Sequence, residues 1–259
     1  MKVREITSAK NPSFKKFIFI LTGRGVKKQN LALISGAKQV REVLRDFSSK
    51  CVGVLCQSRE VVDCEIPEGI TLYQLSPELF KRLDLYGTGF PLLLVQLDPP
   101  KIWDDSDWPL GCTLFIPFQD PSNVGSVIRT AAAFGVSRVV FLEEAAHPFH
   151  HRSIRVAGSA ILRIPILQGP SIKALAQVKD KLLVMSQDQG KNVAGYRFPR
   201  TFGLVPGLEG PGLPDNLKQM EMLSIPMAPA VESLNAAMAT GIVLYEWSCG
   251  KQRRRRNKG

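Results

Sequence analysis

The hydrophobic residues of this chain fall into short continuous runs, separated by stretches in which apolar positions recur at helical spacing. Two helix-start signals stand out in the first hundred residues: Asn11 precedes Pro12, and Ser76 precedes Pro77. The pattern predicts strands at 31–35, 52–56 and 91–96, and helices that begin after residues 11, 36 and 76. We therefore expect a small α/β domain over residues 1–100.

Between residues 112 and 250, apolar strands alternate with helices. The pattern predicts strands at 113–117, 138–142, 182–185 and 202–205, and helices at 125–134, 153–160, 171–178 and 233–247. Near-continuous apolar strands that alternate with helices indicate an α/β fold with a mostly parallel sheet and helices on both faces. Residues 101–111 are rich in Asp, Pro and Gly, and we interpret them as a linker.

The net charge of +11 is concentrated at the two ends of the chain. Residues 1–50 carry twelve Lys or Arg against three acidic residues, and residues 251–259 carry six basic residues and no acidic ones. Such concentration suits a polyanion, because each neutralised phosphate releases condensed counterions. We expect nucleic-acid contacts on the N-terminal domain and a disordered basic tail over residues 251–259, although a simple solvated terminus gives the same pattern. The candidate contact residues are Lys10, Lys15, Lys16, Arg24, Lys27 and Lys28.

Other features bear on location and on metal binding. No apolar stretch approaches the length of a membrane span, and no signal peptide is readable at the N-terminus. The five cysteines lack a Cys-x-x-Cys pair, so we expect reduced, buried thiols in a cytoplasmic protein. His147, His150 and His151 fit no standard zinc spacing, and no metal site is expected.

A first candidate segment, residues 120–129, follows a predicted strand and opens a helix. Ligands of open α/β sheets bind beyond the carboxyl ends of strands, and a helix N-terminus offers free N–H groups to an anion. Asn123 and Arg129 are its polar candidates. An ordinary capped helix with Arg129 on its solvent face fits the same residues.

Two further segments combine glycines with polar residues that the apolar sequence around them does not require. Residues 207–212 form a glycine-rich loop around Glu209, although a tight structural turn fits as well. Residues 225–241 place Ser233 and Asn235 at the start of a long apolar helix. Ser233 fits a simple N-cap, whereas an Asn inside the first turn needs another reason.

These three segments resemble the motifs of the knotted SPOUT superfamily, and within it the TrmH/SpoU-like RNA ribose 2′-O-methyltransferases. N-x-G-x-x-x-R matches residues 123–129, G-x-E-G-x-G matches residues 207–212, and I-P-M…S-L-N…G-I matches residues 225–242. The resemblance covers about residues 110–247. Residues 1–100 are similar to the L30e-like substrate-binding domain that often precedes this fold.

The resemblance implies that residues 112–250 form a methyltransferase domain with a trefoil knot. It also implies a homodimer with the site at or near the interface, and S-adenosylmethionine bound by the loops of the second and third motifs. The implied catalytic residues are Asn123, Arg129, Glu209, Ser233 and Asn235. The implied cofactor-binding residues are Ser186, Gly207, Gly212, Ile225, Met227 and Leu234.

The implied activity is methylation of a ribose 2′-hydroxyl in structured RNA. We expect ribosomal RNA rather than transfer RNA because of the additional basic N-terminal domain, and we expect no DNA or membrane partner. A non-catalytic RNA-binding protein on the same fold is one alternative, although all five polar motif residues are present. A dinucleotide-binding dehydrogenase is another, but its G-x-G-x-x-G after the first strand is missing.

Overall fold

The computed structural model of the chain describes residues 2–58, 66–187, 189–208 and 214–256. Its internal contacts divide the chain into two units. The first unit joins Met1–Pro99 with Phe149–Leu162, and the second joins Pro100–Pro148 with Arg163–Gly259. Each unit has its own sheet and its own buried core.

The strands are β1 Lys2–Ile6, β2 Leu31–Ile34, β3 Cys51–Cys56, β4 Thr71–Leu75, β5 Leu92–Gln96, β6 Lys101–Ile102, β7 Gly111–Ile116, β8 Arg138–Phe141, β9 Ile166–Gln168, β10 Leu182–Met185, β11 Lys191–Asn192, β12 Thr201–Val205 and β13 Glu221–Ser224. The α-helices are α1 Pro12–Phe19, α2 Gly23–Gln29, α3 Ala37–Asp46, α4 Pro77–Leu83, α5 Pro121–Phe134, α6 His151–Ala157 and α7 Ala236–Arg256. Short 3₁₀ helices span Ser48–Lys50, Gly158–Leu162, Ile172–Lys181 and Asp215–Leu217.

The sheet of the first unit has five strands in the order β1-β4-β3-β5-β2. β5 runs antiparallel to both β2 and β3, while β4 runs parallel to β3 and β1. The predicted strands β2, β3 and β5 are confirmed because their apolar runs are buried. β1 and β4 were missed by the sequence pattern, because both are short and mix polar with apolar positions.

The predicted start of α1 is confirmed: Asn11 is its N-cap, with Oδ1 accepting a hydrogen bond from Ser13 N at 2.8 Å. Thr22 caps α2 in the same way, through a bond from Gly25 N at 3.0 Å. The two helices contact one another. The six basic residues proposed to contact RNA lie on or beside them and are all exposed: Lys10, Lys15, Lys16, Arg24, Lys27 and Lys28.

The segment Phe149–Leu162 packs within the first unit, where α6 contacts β2 and the following 3₁₀ helix contacts α3. Ser159 Oγ donates a hydrogen bond to the Glu42 carboxylate at 2.7 Å. The helix predicted at 153–160 is wrong in its bounds. It begins earlier, after the N-cap His150, and ends before Gly158, whose φ of 61° does not continue an α-helix.

The sheet of the second unit has eight strands in the order β11-β13-β10-β12-β7-β8-β9-β6. All seven neighbouring pairs are parallel, which confirms the expected mostly parallel α/β fold. β7, β8, β10 and β12 were predicted from their apolar runs. The prediction missed β6, β9, β11 and β13, which have two to four residues each. β6 lies inside the expected linker and pairs with β9.

The three predicted helices of the second unit differ from the structure in type or extent, and α5 begins at Pro121 rather than at residue 125. Residues 172–181 form 3₁₀ turns with a kink at Val178 instead of the α-helix expected at 171–178. The last helix runs from Ala236 to Arg256, so the backbone of residues 251–256, which was expected to be a disordered tail, is helical. Lys and Arg are good helix formers, and positive charge near a helix C-terminus is favourable.

Cys51, Cys56 and Cys112 are buried and free, as predicted, and Cys249 is half-buried. Burial raises the pKa of the Cys51 thiol to about 11. No helix among the described residues is long and apolar enough to cross a membrane. Within the same residues, no group of three or more His, Cys, Asp or Glu side chains is arranged to hold a metal ion.

Candidate active site

Four neighbouring parallel strands of the second unit place their following loops at one edge of the sheet. These strands are adjacent in the order β13-β10-β12-β7, and the chain leaves each of them at the same end. The loop after β7 leads into α5, and the loop after β13 leads towards α7. Carboxyl ends of adjacent parallel strands are the usual position of a ligand in such sheets.

A cavity of about 660 Å³ opens at this edge. All of the predicted cofactor-binding residues that the structure describes line it: Ser186, Gly207, Ile225, Met227 and Leu234. Ser233 and Asn235 line it as well. Glu209 and Gly212, which were also predicted, lie outside the described residues. Residues of the second and third motifs therefore line one cavity.

Asn235 is the N-cap of α7, and the expectation that it lies inside the first helical turn was wrong. Its Oδ1 accepts hydrogen bonds from Ala237 N at 3.0 Å and Met238 N at 3.1 Å. These bonds satisfy two of the backbone donors that a helix start leaves open. Ser233 was considered as the cap, but it lies before the helix and is exposed.

The amide nitrogen of Asn235 has a second role. Nδ2 donates a hydrogen bond to Asn123 Oδ1 at 3.1 Å, and this bond joins the first motif to the third. Asn123 is buried in the first turn of α5, which begins at Pro121 behind its N-cap Asp120 and therefore starts earlier than predicted. Asn235 thus fixes the start of α7 and the start of α5 with a single side chain.

Arg129 lies on α5, six residues after Asn123, and its side chain is exposed. Six residues of α-helix advance about 9 Å and turn the side chain about 120° away from the starting direction. Among the described residues, neither Arg129 nor Asn123 lines the cavity, but Asn123 is joined to the cavity wall by its bond to Asn235. The structure describes four of the predicted catalytic residues. Asn123 and Asn235 are in contact, and Ser233 lines the cavity. Arg129 lies on a different side of α5 from Asn123.

Gly207 lets a ligand approach the backbone because it has no side chain. Its own backbone conformation is ordinary. Its φ does not lie in the left-handed region, where several other glycines of the chain are found. A Cβ built on Gly207 meets only Met185 O, at 3.5 Å, and otherwise extends into open space. The missing side chain at this position therefore adds free volume to the cavity.

Three polar residues of the cavity wall were missed by the sequence reasoning: Gln187, Gln189 and Lys218. Gln187 follows β10 directly behind Ser186, so the position of that strand end could have indicated it. Lys218 had no such signal, because it reaches the cavity from the 3₁₀ segment that precedes β13. Its Nζ lies 2.6 Å from the Asp215 carboxylate and lowers the pKa of that group.

The chain is similar to known RNA methyltransferases. The SpoU rRNA Methylase family matches residues 114–245 of the chain. The chain is 44% identical over 247 residues to the Syntrophobacter fumaroxidans protein named ribosomal RNA small subunit methyltransferase G 2, covering 95% of this chain and 49% of that protein. The chain thus spans about half the length of that relative.

A second relative matches along nearly its whole length. It is the Bacillus subtilis 23S rRNA (guanosine(2553)-2′-O)-methyltransferase RlmP, 27% identical over 248 residues, with 94% of this chain and 98% of the relative covered.

Solved structures share the fold. The S-adenosylmethionine-bound rRNA methyltransferase of Sinorhizobium meliloti has a TM-score of 0.78 at 21% identity and covers 94% of this chain and 97% of its own. The SpoU methyltransferase AviRb of Streptomyces viridochromogenes has a TM-score of 0.75 at 20% identity, with 94% and 98% covered. The family match spans the strands, loops and helices that build the cavity, and the chain belongs to the SpoU rRNA methylase family.

Proposed function

We propose that this protein transfers a methyl group from S-adenosylmethionine to a ribose 2′-hydroxyl of structured RNA, most readily ribosomal RNA. The observation that carries the proposal is the hydrogen bond between Asn123 and Asn235 beside a cavity lined by residues of the second and third motifs. The family match and the RNA 2′-O-methyltransferase among the relatives support the same chemistry.

The cavity fits S-adenosylmethionine in size and in chemistry. Its 660 Å³ lies within the range of small-molecule sites, about 300–1,000 Å³. Its wall combines apolar side chains such as Ile225 and Leu234 with polar ones such as Ser186 and Gln187. An adenosine needs both, because its ring is apolar on its faces and polar at its edge. Gly207 leaves room for the ligand against the backbone.

S-adenosylmethionine supplies an electrophilic methyl group, and the residues of this chain align the acceptor and stabilise its developing charge. Asn235, held by its cap bonds and by Asn123, orients the substrate hydroxyl at the cavity. Ser233, exposed in the cavity wall, is a second hydroxyl-binding group. Glu209 belongs to the second motif in sequence but lies outside the described residues, and its contribution stays a prediction.

Arg129 acts on the RNA rather than on the donor. A guanidinium does not readily lose a proton, so Arg129 is a poor general base. Its planar fork matches the oxygens of a phosphate, and it is exposed where a backbone phosphate can reach it. We propose that Arg129 binds the phosphate next to the methylated ribose. Its positive charge also stabilises the negative charge that develops on the ribose oxygen.

A homodimer gives Arg129 a position beside a cavity. The exposed part of the α5–α7 pair carries Met238 and Tyr245, which are 62% and 53% exposed, and Arg129 lies on the same pair. Apolar side chains of this size favour burial by a partner. We propose that a second copy covers them and brings Arg129 close to a methyl-donor cavity. Both this arrangement and the trefoil knot stay predictions, as does the cytoplasmic location.

The activity is tested by mapping 2′-O-methyl marks on total RNA from cells with and without this gene. We expect one ribosomal RNA mark to disappear. Loss of a transfer RNA mark alone would overturn the preference for ribosomal RNA, and an unchanged set of marks would contradict the activity.

The non-catalytic alternative is separated by calorimetry with S-adenosylhomocysteine, the demethylated product. We expect a single site per chain. If the folded protein binds no S-adenosylhomocysteine, the result favours a non-catalytic RNA-binding protein over a methyltransferase.

A further inference from the structure

A loop of the first unit displays aromatic side chains at the surface. Asp84 is buried and organises it, because its carboxylate accepts hydrogen bonds from Thr88 Oγ1 at 3.0 Å and Gly89 N at 2.7 Å. Gly87 and Gly89 both have positive φ, which lets the chain turn tightly after α4. The turn leaves Tyr86 exposed at 37% and Phe90 half-buried.

Tyr86 is fixed from the side of α6. Its hydroxyl lies 3.0 Å from His151 Nδ1, and the guanidinium of Arg155 lies over its ring, 4.9 Å from the centroid. Burial raises the pKa of Tyr86, and the charges of Arg155 and Arg152 partly offset that rise. The ring is therefore oriented by neighbours on α6 and lies in a positive potential.

A second cation–aromatic pair lies close by. The Arg41 guanidinium of α3 is 5.1 Å from the Phe90 ring centroid. A Cβ built on Gly36, just before α3, would lie 3.0 Å from Arg155 Nη1, so the start of α3 and the stacked pair of Tyr86 and Arg155 are adjacent. The loop that carries Tyr86 and Phe90 thus forms one continuous surface with α3 and α6.

The charge of this surface is positive. Lys38 of α3 and Arg152 of α6 are exposed, and the charge of Arg152 acts on Tyr86. The nearby carboxylates are engaged: Glu42 is bonded by Ser159 Oγ at 2.7 Å and has Lys38 Nζ at 4.0 Å, while Asp84 is buried in its loop.

We propose that Tyr86, Phe90, Arg41, Arg152 and Arg155 form a platform that binds an unstacked nucleobase of RNA together with its flanking phosphates. Bases that have left a helix stack on aromatic rings and on guanidinium planes, and the platform offers both. Its arginines provide the phosphate contacts. The proposal rests on RNA being the substrate, as proposed above, and it adds a base-recognition surface that is separate from the basic residues of α1 and α2.

The test measures binding of the full-length protein to a fluorescein-labelled single-stranded RNA of about sixteen nucleotides, and to its duplex form, over a range of salt concentrations. Tyr86→Ala should weaken binding to the single strand about tenfold, the size of one lost base stack, and leave the salt dependence unchanged. Tyr86→Phe keeps the ring and should stay within about threefold of wild type. Arg152→Ala should lower the slope of log affinity against log salt by about 0.7, the value for one phosphate contact.

Arg45→Ala is the matched control, because it removes one exposed positive charge from α3 where the side chain is paired with Asp46. It should change neither affinity nor slope. Wild-type affinity in Tyr86→Ala, or equal losses in Tyr86→Ala and Tyr86→Phe, would overturn the platform; the second result would mean that only the bond to His151 matters. Thermal unfolding of each variant checks that it is folded.

Calorimetry with S-adenosylhomocysteine on the same proteins separates this result from the proposed function. If RNA binding depends on Tyr86 but the wild-type protein binds no S-adenosylhomocysteine, the platform is supported and the proposed methyltransferase activity is contradicted. If the protein binds S-adenosylhomocysteine normally but Tyr86→Ala leaves RNA binding unchanged, the proposed activity is supported and the platform is contradicted.

Discussion

The hydrogen bond from Asn235 to Asn123 predicts a measurable coupling between two residues that are far apart in the chain. Asn235→Ala removes two contributions: the helix cap, worth about 1 kcal/mol, and the bond to Asn123, also worth about 1 kcal/mol. We expect a loss of about 2 kcal/mol in the free energy of unfolding, or a fall in Tm of about 4–8 °C for a protein of this size.

Asn123→Ala removes the same bond from its other end. The double variant loses that bond only once, so its loss should be about 1 kcal/mol smaller than the sum of the two single losses. Asn235→Asp is the internal control. It keeps an oxygen that can accept from Ala237 N and Met238 N, and should recover about 1 kcal/mol relative to Asn235→Ala.

The assay is urea unfolding of the four proteins of the cycle, followed by far-ultraviolet circular dichroism. Equal slopes m across the set are required for the free energies to be compared. If the two losses add without any coupling, the bond between Asn123 and Asn235 does not stabilise the protein, and the first and third motifs are energetically independent. A coupling of about 1 kcal/mol places both asparagines in one structural unit.

Three further predictions concern the cavity, the RNA and pH. Gly207→Ala should change the free energy of unfolding by no more than about 0.5 kcal/mol, because the new Cβ meets only Met185 O at 3.5 Å. The same change should weaken S-adenosylhomocysteine binding in calorimetry about tenfold. Unchanged affinity would argue against this cavity as the binding site. Arg129→Lys should lower kcat for RNA methylation more than tenfold, because lysine cannot make a bidentate contact with a phosphate. Tm should stay unchanged because the side chain is exposed. Near-wild-type turnover would exclude the phosphate-binding role of Arg129. Burial and the charges of His150 and Arg152 lower the pKa of His151 to about 4, below the usual 6.5. The unfolded chain therefore binds a proton at His151 more readily than the folded one does. As a result, the free energy of unfolding falls as the pH drops from 6.5 towards 4. His151→Asn should flatten this fall in Tm, and an identical pH profile would show that another group causes it.

Much of the second unit could be predicted from local patterns. Strands such as β8 and β10 are fully buried runs of apolar residues, and a run of this kind has few alternatives in a sheet covered on both faces. Ser186 and Gly207 follow such strands, whose carboxyl ends are the usual position of a ligand, but their role in cofactor binding was implied by the family resemblance. The short edge strands β6 and β11 were missed, since two residues carry no period.

The contacts that depend on distant parts of the chain could not be predicted. Asn235 was recognised as unusual, but its partner Asn123 and its capping role appear only once α5 and α7 are packed together. Lys218 reaches the cavity from a segment without any motif. The contacts of Phe149–Leu162 with α3 and β2 had no signal either, because the helical spacing of that segment is the same in whichever unit it packs.

The most direct test of the central claim is a crystal structure of the protein grown with S-adenosylhomocysteine. We expect electron density for the ligand in the cavity between Gly207, Ile225 and Leu234, with its sulfur directed towards Asn235. Ligand density at a different edge of the sheet, or a cavity that stays empty at saturating ligand, would contradict it.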